Sequence, residues 1–96
     1  MPTLIALEQS RRKGKKLKAV FRLDTGRTKT IHFGAIGYED FTTHKDEARK
    51  QRYIERHRSR ESFNEPMTAG ALSRWILWNK PTIIASVMDF KKRFHV

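Results

Sequence analysis

The chain has 96 residues, of which 21 are lysine or arginine and 10 are aspartate or glutamate, so its formal net charge is +11. It has no cysteine, which excludes disulfides, thiolate zinc sites and thiol catalysis. A hydrophobic fraction of 38% is too high for a disordered basic tail, and the length suits one domain with little room for a catalytic cleft. The excess of positive charge indicates an anionic partner.

The first 16 residues are predicted to form a basic N-terminal arm. The arm begins with an apolar cluster, Leu4, Ile5 and Leu7, which is too short to fold alone and is expected to dock on a partner. Six cations without an intervening acid follow within eight residues: Arg11, Arg12, Lys13, Lys15, Lys16 and Lys18. No secretory signal and no membrane span are recognisable, so we expect a protein that stays inside the cell that makes it.

A β-hairpin is predicted at the start of a single compact α+β domain that spans residues 17–96. Apolar and polar side chains alternate over residues 17–23, and a β-favouring pattern resumes over residues 28–33. The intervening Asp24-Thr25-Gly26 is typical of a short turn with glycine in the left-handed region. The solvent face of this hairpin is expected to carry four cations: Lys16, Lys18, Arg22 and Arg27.

About three helices are predicted to follow the hairpin. The first covers residues 44–60, with Thr43 and Asp46 as a capping box and with cations over most of its surface. Thr68 is expected to cap a short second helix that contains the two tryptophans and ends before Pro81. Thr82 is expected to cap the last helix, whose inward face is predicted to consist of Ile84, Val87, Met88 and Phe94.

No catalytic, cofactor or metal site is predicted. The histidines are His32, His44, His57 and His95, and none has the spacing of a metal-ligand motif. Gly34 and Gly37 lack the spacing of a phosphate-binding glycine loop, and no serine has the context of a nucleophile elbow. We therefore expect that the protein is not an enzyme and takes no small-molecule substrate.

Two sets of residues are candidates for binding or anchoring. The candidate anion- or partner-binding residues are Arg11, Arg12, Lys13, Lys15, Lys16, Lys18, Arg22, Arg49, Arg52 and Arg56. Trp75 and Trp78 are candidate structural anchors, because large aromatic side chains next to other apolar residues usually pack in the core of a small domain. The alternative for both tryptophans is stacking on exposed bases.

An ordered series of motifs over residues 31–94, about two thirds of the chain, carries a family resemblance. The motifs are His32-Phe33-Gly34, Gly37-Tyr38, Asp40-Phe41, His44-Lys45-Asp46, Arg49-Lys50, Tyr53, Arg56-His57, Arg60-Glu61, Thr68-Ala69-Gly70 and residues 72–82. In these motifs the chain resembles a family of small basic proteins encoded by nucleocytoplasmic large DNA viruses, including viruses of algae. The resemblance implies a viral setting and supplies no catalytic residues.

Two functions suit a small basic protein in that setting. We expect a minor capsid protein that cements neighbouring virion subunits through the basic arm and the aromatic helical anchor, and that is located in the virion. The alternative is a nucleic-acid-binding protein that contacts viral DNA through its phosphates. The abundance of Trp, Phe and Ile beside the charged residues favours protein contacts, and hence the capsid function.

Overall fold

The first third of the chain forms a three-stranded antiparallel sheet in the computed structural model, which describes all 96 residues. The strands are β1 (Thr3–Gln9), β2 (Lys15–Arg22) and β3 (Thr28–Ala35), and β2 lies at the centre. Ala19 and Phe21 of β2 are fully buried, because alternate side chains of a strand point to the same face. Helices follow the sheet, so the predicted α+β class is confirmed.

The predicted hairpin is also confirmed. β2 and β3 pair in antiparallel fashion, with Arg22 opposite Thr28 at the turn. Within the turn the Leu23 amide donates to the Arg27 carbonyl oxygen at 2.8 Å, and Gly26 has a φ of 86°. A positive φ is readily adopted by glycine, which is why this turn could be recognised in the sequence.

The structure shows no separate N-terminal arm. Leu4 of β1 is only 5% exposed and lies opposite Phe21, and its amide donates to the carbonyl oxygen of Val96 at 3.1 Å. The first three cations of the basic run lie in the β1–β2 turn, where Gly14 has a φ of 82°, and the other three lie in β2. The predicted division at residue 16 therefore falls inside β2, because pairing with the sheet satisfies backbone groups that a free arm would leave to water.

Two helices follow the sheet: α1 (Phe41–His44) and α2 (Glu47–Arg58). The single helix predicted over residues 44–60 is wrong at its start, because Asp46 and not Thr43 is the N-cap of α2. The Asp46 carboxylate accepts hydrogen bonds from two free amides of the first turn of α2. Thr43 belongs to the capping box of the short α1.

Two further helices form the C-terminal part of the chain. α3 (Ala69–Leu72) is capped by Thr68 and continues into one π-helical turn, Ser73–Leu77. α4 (Ile83–Phe94) is capped by Thr82, whose hydroxyl accepts a hydrogen bond from the Ala85 amide at 3.1 Å. Both predicted caps are confirmed. None of the helices is both long and apolar enough to cross a membrane.

The core lies between the sheet and the C-terminal helices. Its fully buried large side chains come from both layers: Phe21, Phe33, Leu72, Ile76 and Phe90. The predicted inward face of α4 is partly wrong, since Ile84 is 76% and Met88 is 69% exposed. Ser86 is buried instead, and its hydroxyl accepts a hydrogen bond from the Lys80 amide at 2.9 Å.

Candidate nucleic-acid interface

A cleft of about 830 Å³ lies between α2 and the rest of the fold. One wall is formed by α2, and the other by the adjoining ends of β2 and β3, while α3 and its π-helical turn close the base. We call this feature the basic cleft. The helix that forms its first wall, α2, buries only Tyr53 and Ile54.

Six lysine or arginine side chains line the basic cleft: Lys15, Lys16, Arg49, Arg52, Arg56 and Arg60. The cleft also contains three carboxylates, and each of them lies within 4.0 Å of a basic group of the cleft. These pairs are Asp40 with Lys16 at 2.7 Å, Glu39 with Arg49 at 3.8 Å, and Glu61 with His57 at 3.3 Å. Four cations of the cleft therefore have no acidic partner: Lys15, Arg52, Arg56 and Arg60.

The arginines of α2 share a wall because of their spacing. Arg49, Arg52 and Arg56 are separated by three and then four residues, which places them on one face of an α-helix. Arg60 follows just beyond the helix end, where its amide donates to the His57 carbonyl oxygen at 3.0 Å. The result is one stripe of guanidinium groups along the cleft.

Asp40 fixes the opposite wall. Its carboxylate is almost fully buried, caps α1 by accepting the Thr42 amide at 2.9 Å, and accepts a hydrogen bond from the Lys16 ammonium at 2.7 Å. The Thr42 hydroxyl donates to the same carboxylate. Asp40 thereby joins α1 to β2, and Lys16 is held as part of the wall.

Stacked rings join the α2 wall to the base of the cleft. The Tyr53 ring lies parallel to that of Trp78, with centroids 4.3 Å apart, and its other neighbour is the His57 ring at 4.2 Å. Burial, assisted by the charge of Glu61, raises the pKa of Tyr53 well above its usual value. The phenol is therefore neutral at physiological pH, and the Tyr53–Trp78 stack presents a flat, uncharged surface.

Glu61 occupies a restricted position beside this base. A β-carbon on Gly70 would lie 2.9 Å from the Glu61 β-carbon, so glycine is needed for the carboxylate to sit there. One carboxylate oxygen pairs with His57, and the other is buried without a hydrogen-bond partner. Glu61 thus lowers the positive charge at one end of the cleft only.

The structure distributes the predicted anion-binding residues over two regions. Lys15, Lys16, Arg49, Arg52 and Arg56 meet in the basic cleft, whereas the other five lie elsewhere. Arg11, Arg12 and Lys13 are exposed on the β1–β2 turn, and Lys18 and Arg22 lie on β2.

His32 shows that the turn and the sheet form one basic region. Its pKa is lowered from the usual value by desolvation and then by the nearby charges of Arg12, Lys18 and Lys15. His32 Nδ1 also lies 2.7 Å from the hydroxyl of Ser10. Since Lys15 lines the cleft as well, the positive surface of the turn is continuous with that of the basic cleft.

Both tryptophans pack against the core and are partly buried. The Trp75 indole donates to the Phe63 carbonyl oxygen at 2.7 Å and lies between the guanidinium groups of Arg74 and Arg93, at 4.0 and 3.9 Å. Trp78 contributes to the base of the cleft through its stack on a tyrosine. These contacts favour a role as structural anchors for both tryptophans over stacking on exposed bases.

Several residues of the cleft are absent from the set predicted from the sequence, among them Arg60, Tyr38 and Asp40. Arg60 continues the spacing of the arginine stripe by four residues, so its signal was present in the helical period. Tyr38 and Asp40 lie in the connection after β3, and no pattern in the sequence places them beside α2. No group of three His, Asp or Glu side chains is arranged to hold a metal ion.

Fold and site together define a small α+β protein with a cationic cleft. Residues 5–57 match the model of a family of unknown function, DUF5754, and since the match covers more than half of the chain, the protein belongs to that family. The matched segment runs from β1 into α2 and contains every lysine and arginine of the cleft except Arg60. No curated protein and no solved structure is significantly similar to the chain.

Proposed function

We propose that the protein binds nucleic acid through phosphate contacts in the basic cleft. The observation that carries the proposal is the set of four cations that face one cleft without acidic partners: Lys15, Arg52, Arg56 and Arg60. Holding like charges together is unfavourable unless an anion is bound, so this arrangement suits a polyanionic ligand.

The chemistry of the cleft suits phosphate in particular. Three of the four unpaired cations are arginines, whose planar guanidinium groups donate paired hydrogen bonds to phosphate oxygens. The exposed β1–β2 turn extends the positive surface beyond the cleft, which suits a ligand longer than one phosphate. Contacts of this kind give affinity with little dependence on base sequence.

Salt titration of nucleic-acid binding tests this proposal. Fluorescence anisotropy with labelled oligonucleotides should show affinity that falls with NaCl, with a slope of about −3 in log affinity against log salt for four neutralised phosphates of a single strand. That slope corresponds to roughly a 60-fold loss of binding affinity between 50 and 200 mM NaCl. The Arg52→Gln/Arg56→Gln variant should weaken binding across sequences and reduce the slope by about 1 to 2.

A matched control removes the same charge elsewhere. Arg27→Gln/Lys29→Gln also neutralises two exposed cations without acidic partners, but in the β2–β3 turn and at the start of β3, outside the cleft. We expect this control to keep most of the affinity. Equal losses in the two variants would show that the cleft has no special role, and absence of binding at low salt would reject the proposal.

A second candidate function is attachment to a protein surface in a virion. It rests on the family resemblance and on one apolar pair, Ile84 and Met88, which is exposed on α4. The contact first expected for this function, an apolar arm led by Leu4, is not available because Leu4 is part of the core. Graded disassembly of purified particles, followed by mass spectrometry, should release the protein with capsid subunits, whereas release with the genome would favour nucleic-acid binding.

A further inference from the structure

Tyr38 stands out among the residues that line the basic cleft. Its side chain is 74% exposed, and it makes no hydrogen bond or ring contact with the rest of the protein. It follows Gly37, which has a φ of 90°, in the connection from β3 to α1. An exposed aromatic ring that lines the same cleft as unpaired arginines is the combination that strand-binding surfaces use to stack a base while phosphates are neutralised.

The shape of the cleft limits what can reach this ring. In a duplex the bases are stacked inside, so only phosphates and groove edges are presented to a protein surface. A cleft of about 830 Å³ has the size of a small-ligand site, which can admit a short piece of a single strand. The stripe from Arg49 to Arg56 spans about 10 Å along α2, which suits roughly two or three successive phosphates.

We infer that the ligand of the basic cleft is single-stranded nucleic acid, with one unpaired base stacked on Tyr38. This inference rests on the proposed function and makes it more specific. The arginine stripe neutralises the backbone, Tyr38 supplies the aromatic face, and the stacked rings at the base of the cleft keep α2 at a fixed distance from the core. The shared chemistry of DNA and RNA, a phosphate chain with bases, is sufficient for this site.

The test compares a labelled 12-nucleotide strand, as DNA and as RNA, with the blunt duplex of the same sequence. At 100 mM NaCl we expect the single strand to bind at least 10-fold more tightly than the duplex. Tyr38→Ala should weaken single-strand binding by about 5-fold or more and lower the ratio of single-strand to duplex affinity. Tyr38→Phe keeps the ring and should restore that ratio, and binding of either sugar type supports the inference.

Two further measurements separate stacking from other effects of the substitution. Ile36→Ala removes a neighbouring exposed apolar side chain that has no aromatic face, and it should keep the ratio. The salt slope of Tyr38→Ala should equal that of the native protein, because no charge is removed. Duplex preference, or an unchanged ratio in Tyr38→Ala, would overturn this inference while the proposed function stands. Failure of both strand and duplex to bind would reject the two together.

Discussion

Gly34 lies where the wall of the cleft meets the core. It has a φ of 81°, and a β-carbon at this position would lie 2.8 Å from the Leu77 Cδ1 atom and 3.2 Å from the Lys16 Cβ atom. Both a left-handed backbone and the absence of a side chain are therefore required here. Because Lys16 is part of the cleft wall, this contact couples the position of the wall to core packing.

The Gly34→Ala variant should be destabilised by about 2 kcal/mol or more, since a left-handed backbone costs roughly 1–2 kcal/mol for alanine and overpacking adds roughly 1–3 kcal/mol. Gly26→Ala is the matched control, because Gly26 has a φ of 86° but no atom within 4 Å of the added carbon. Chemical denaturation of the two variants gives the comparison. Equal losses of stability in the two variants would mean that the left-handed backbone alone accounts for the destabilisation.

Individual residues also show what the sequence could reveal of the site. Arg49, Arg52 and Arg56 could be placed on one face because the helical period depends only on local sequence. The approach of Lys15 to that face depends on how the chain folds, and no local pattern encodes it. Tyr38 lies in an irregular connection without a period, so its role could be recognised only from the structure.

At the scale of elements, β1 is the part that sequence reasoning misjudged. A short apolar stretch followed by six cations resembles a free arm, because the charged β1–β2 turn hides the hairpin signal. The β2–β3 hairpin could be predicted because its turn contains Asp24 and Gly26. The caps Thr68 and Thr82 could be predicted for a similar reason, since capping depends on a few adjacent residues.

The face of α4 was misjudged for a different reason. The apolar side chains of α4 lie on two overlapping faces of the helix. Local sequence does not determine which face packs against the core, because that depends on tertiary packing. Ser86 lies at the centre of the buried stripe, where a hydroxyl is acceptable because it bonds to the Lys80 amide. Without that partner in view, Ile84 and Met88 were the natural choice for the core.

Substitutions in β1 distinguish a strand from an arm. Leu4→Ala should destabilise the protein by about 2–5 kcal/mol, because it removes a side chain that is buried against Phe21 and leaves a cavity. Ile5→Ala, at the adjacent position that is 41% exposed, should have a much smaller effect. Thermal melts of both variants measure the difference. Unchanged melting temperatures in both variants would contradict the packing of β1 in the core and would favour a free N-terminal arm.

At the scale of the whole molecule, charge works against the fold. The net charge of +11 is distributed over a fold with a radius of gyration of 12.9 Å, so like charges lie near one another over most of the surface. Of the ion pairs, Lys16 with Asp40 is the one whose side chains are both well shielded, at 22% and 5% exposure, and the others have at least one more exposed member. Repulsion should therefore outweigh the attraction of the surface pairs.

Salt should consequently have opposite effects on stability and on binding. Raising NaCl from 10 to 300 mM shortens the screening length from about 30 Å to less than 10 Å, so it should relieve repulsion and raise the melting temperature. The same change should weaken nucleic-acid binding, because counterion release contributes less to it. Melting curves of the free protein and anisotropy titrations in the same buffers measure both trends.

The cleft variant adds an internal check to this comparison. Arg52→Gln/Arg56→Gln removes two of the four unpaired cations, so at low salt it should melt a few degrees above the native protein and gain less from added NaCl. A native melting temperature that falls as NaCl rises would mean that ion pairs dominate the electrostatics of the fold. The unpaired arginines would then impose no cost on the free protein, and their proximity would no longer indicate an anionic ligand.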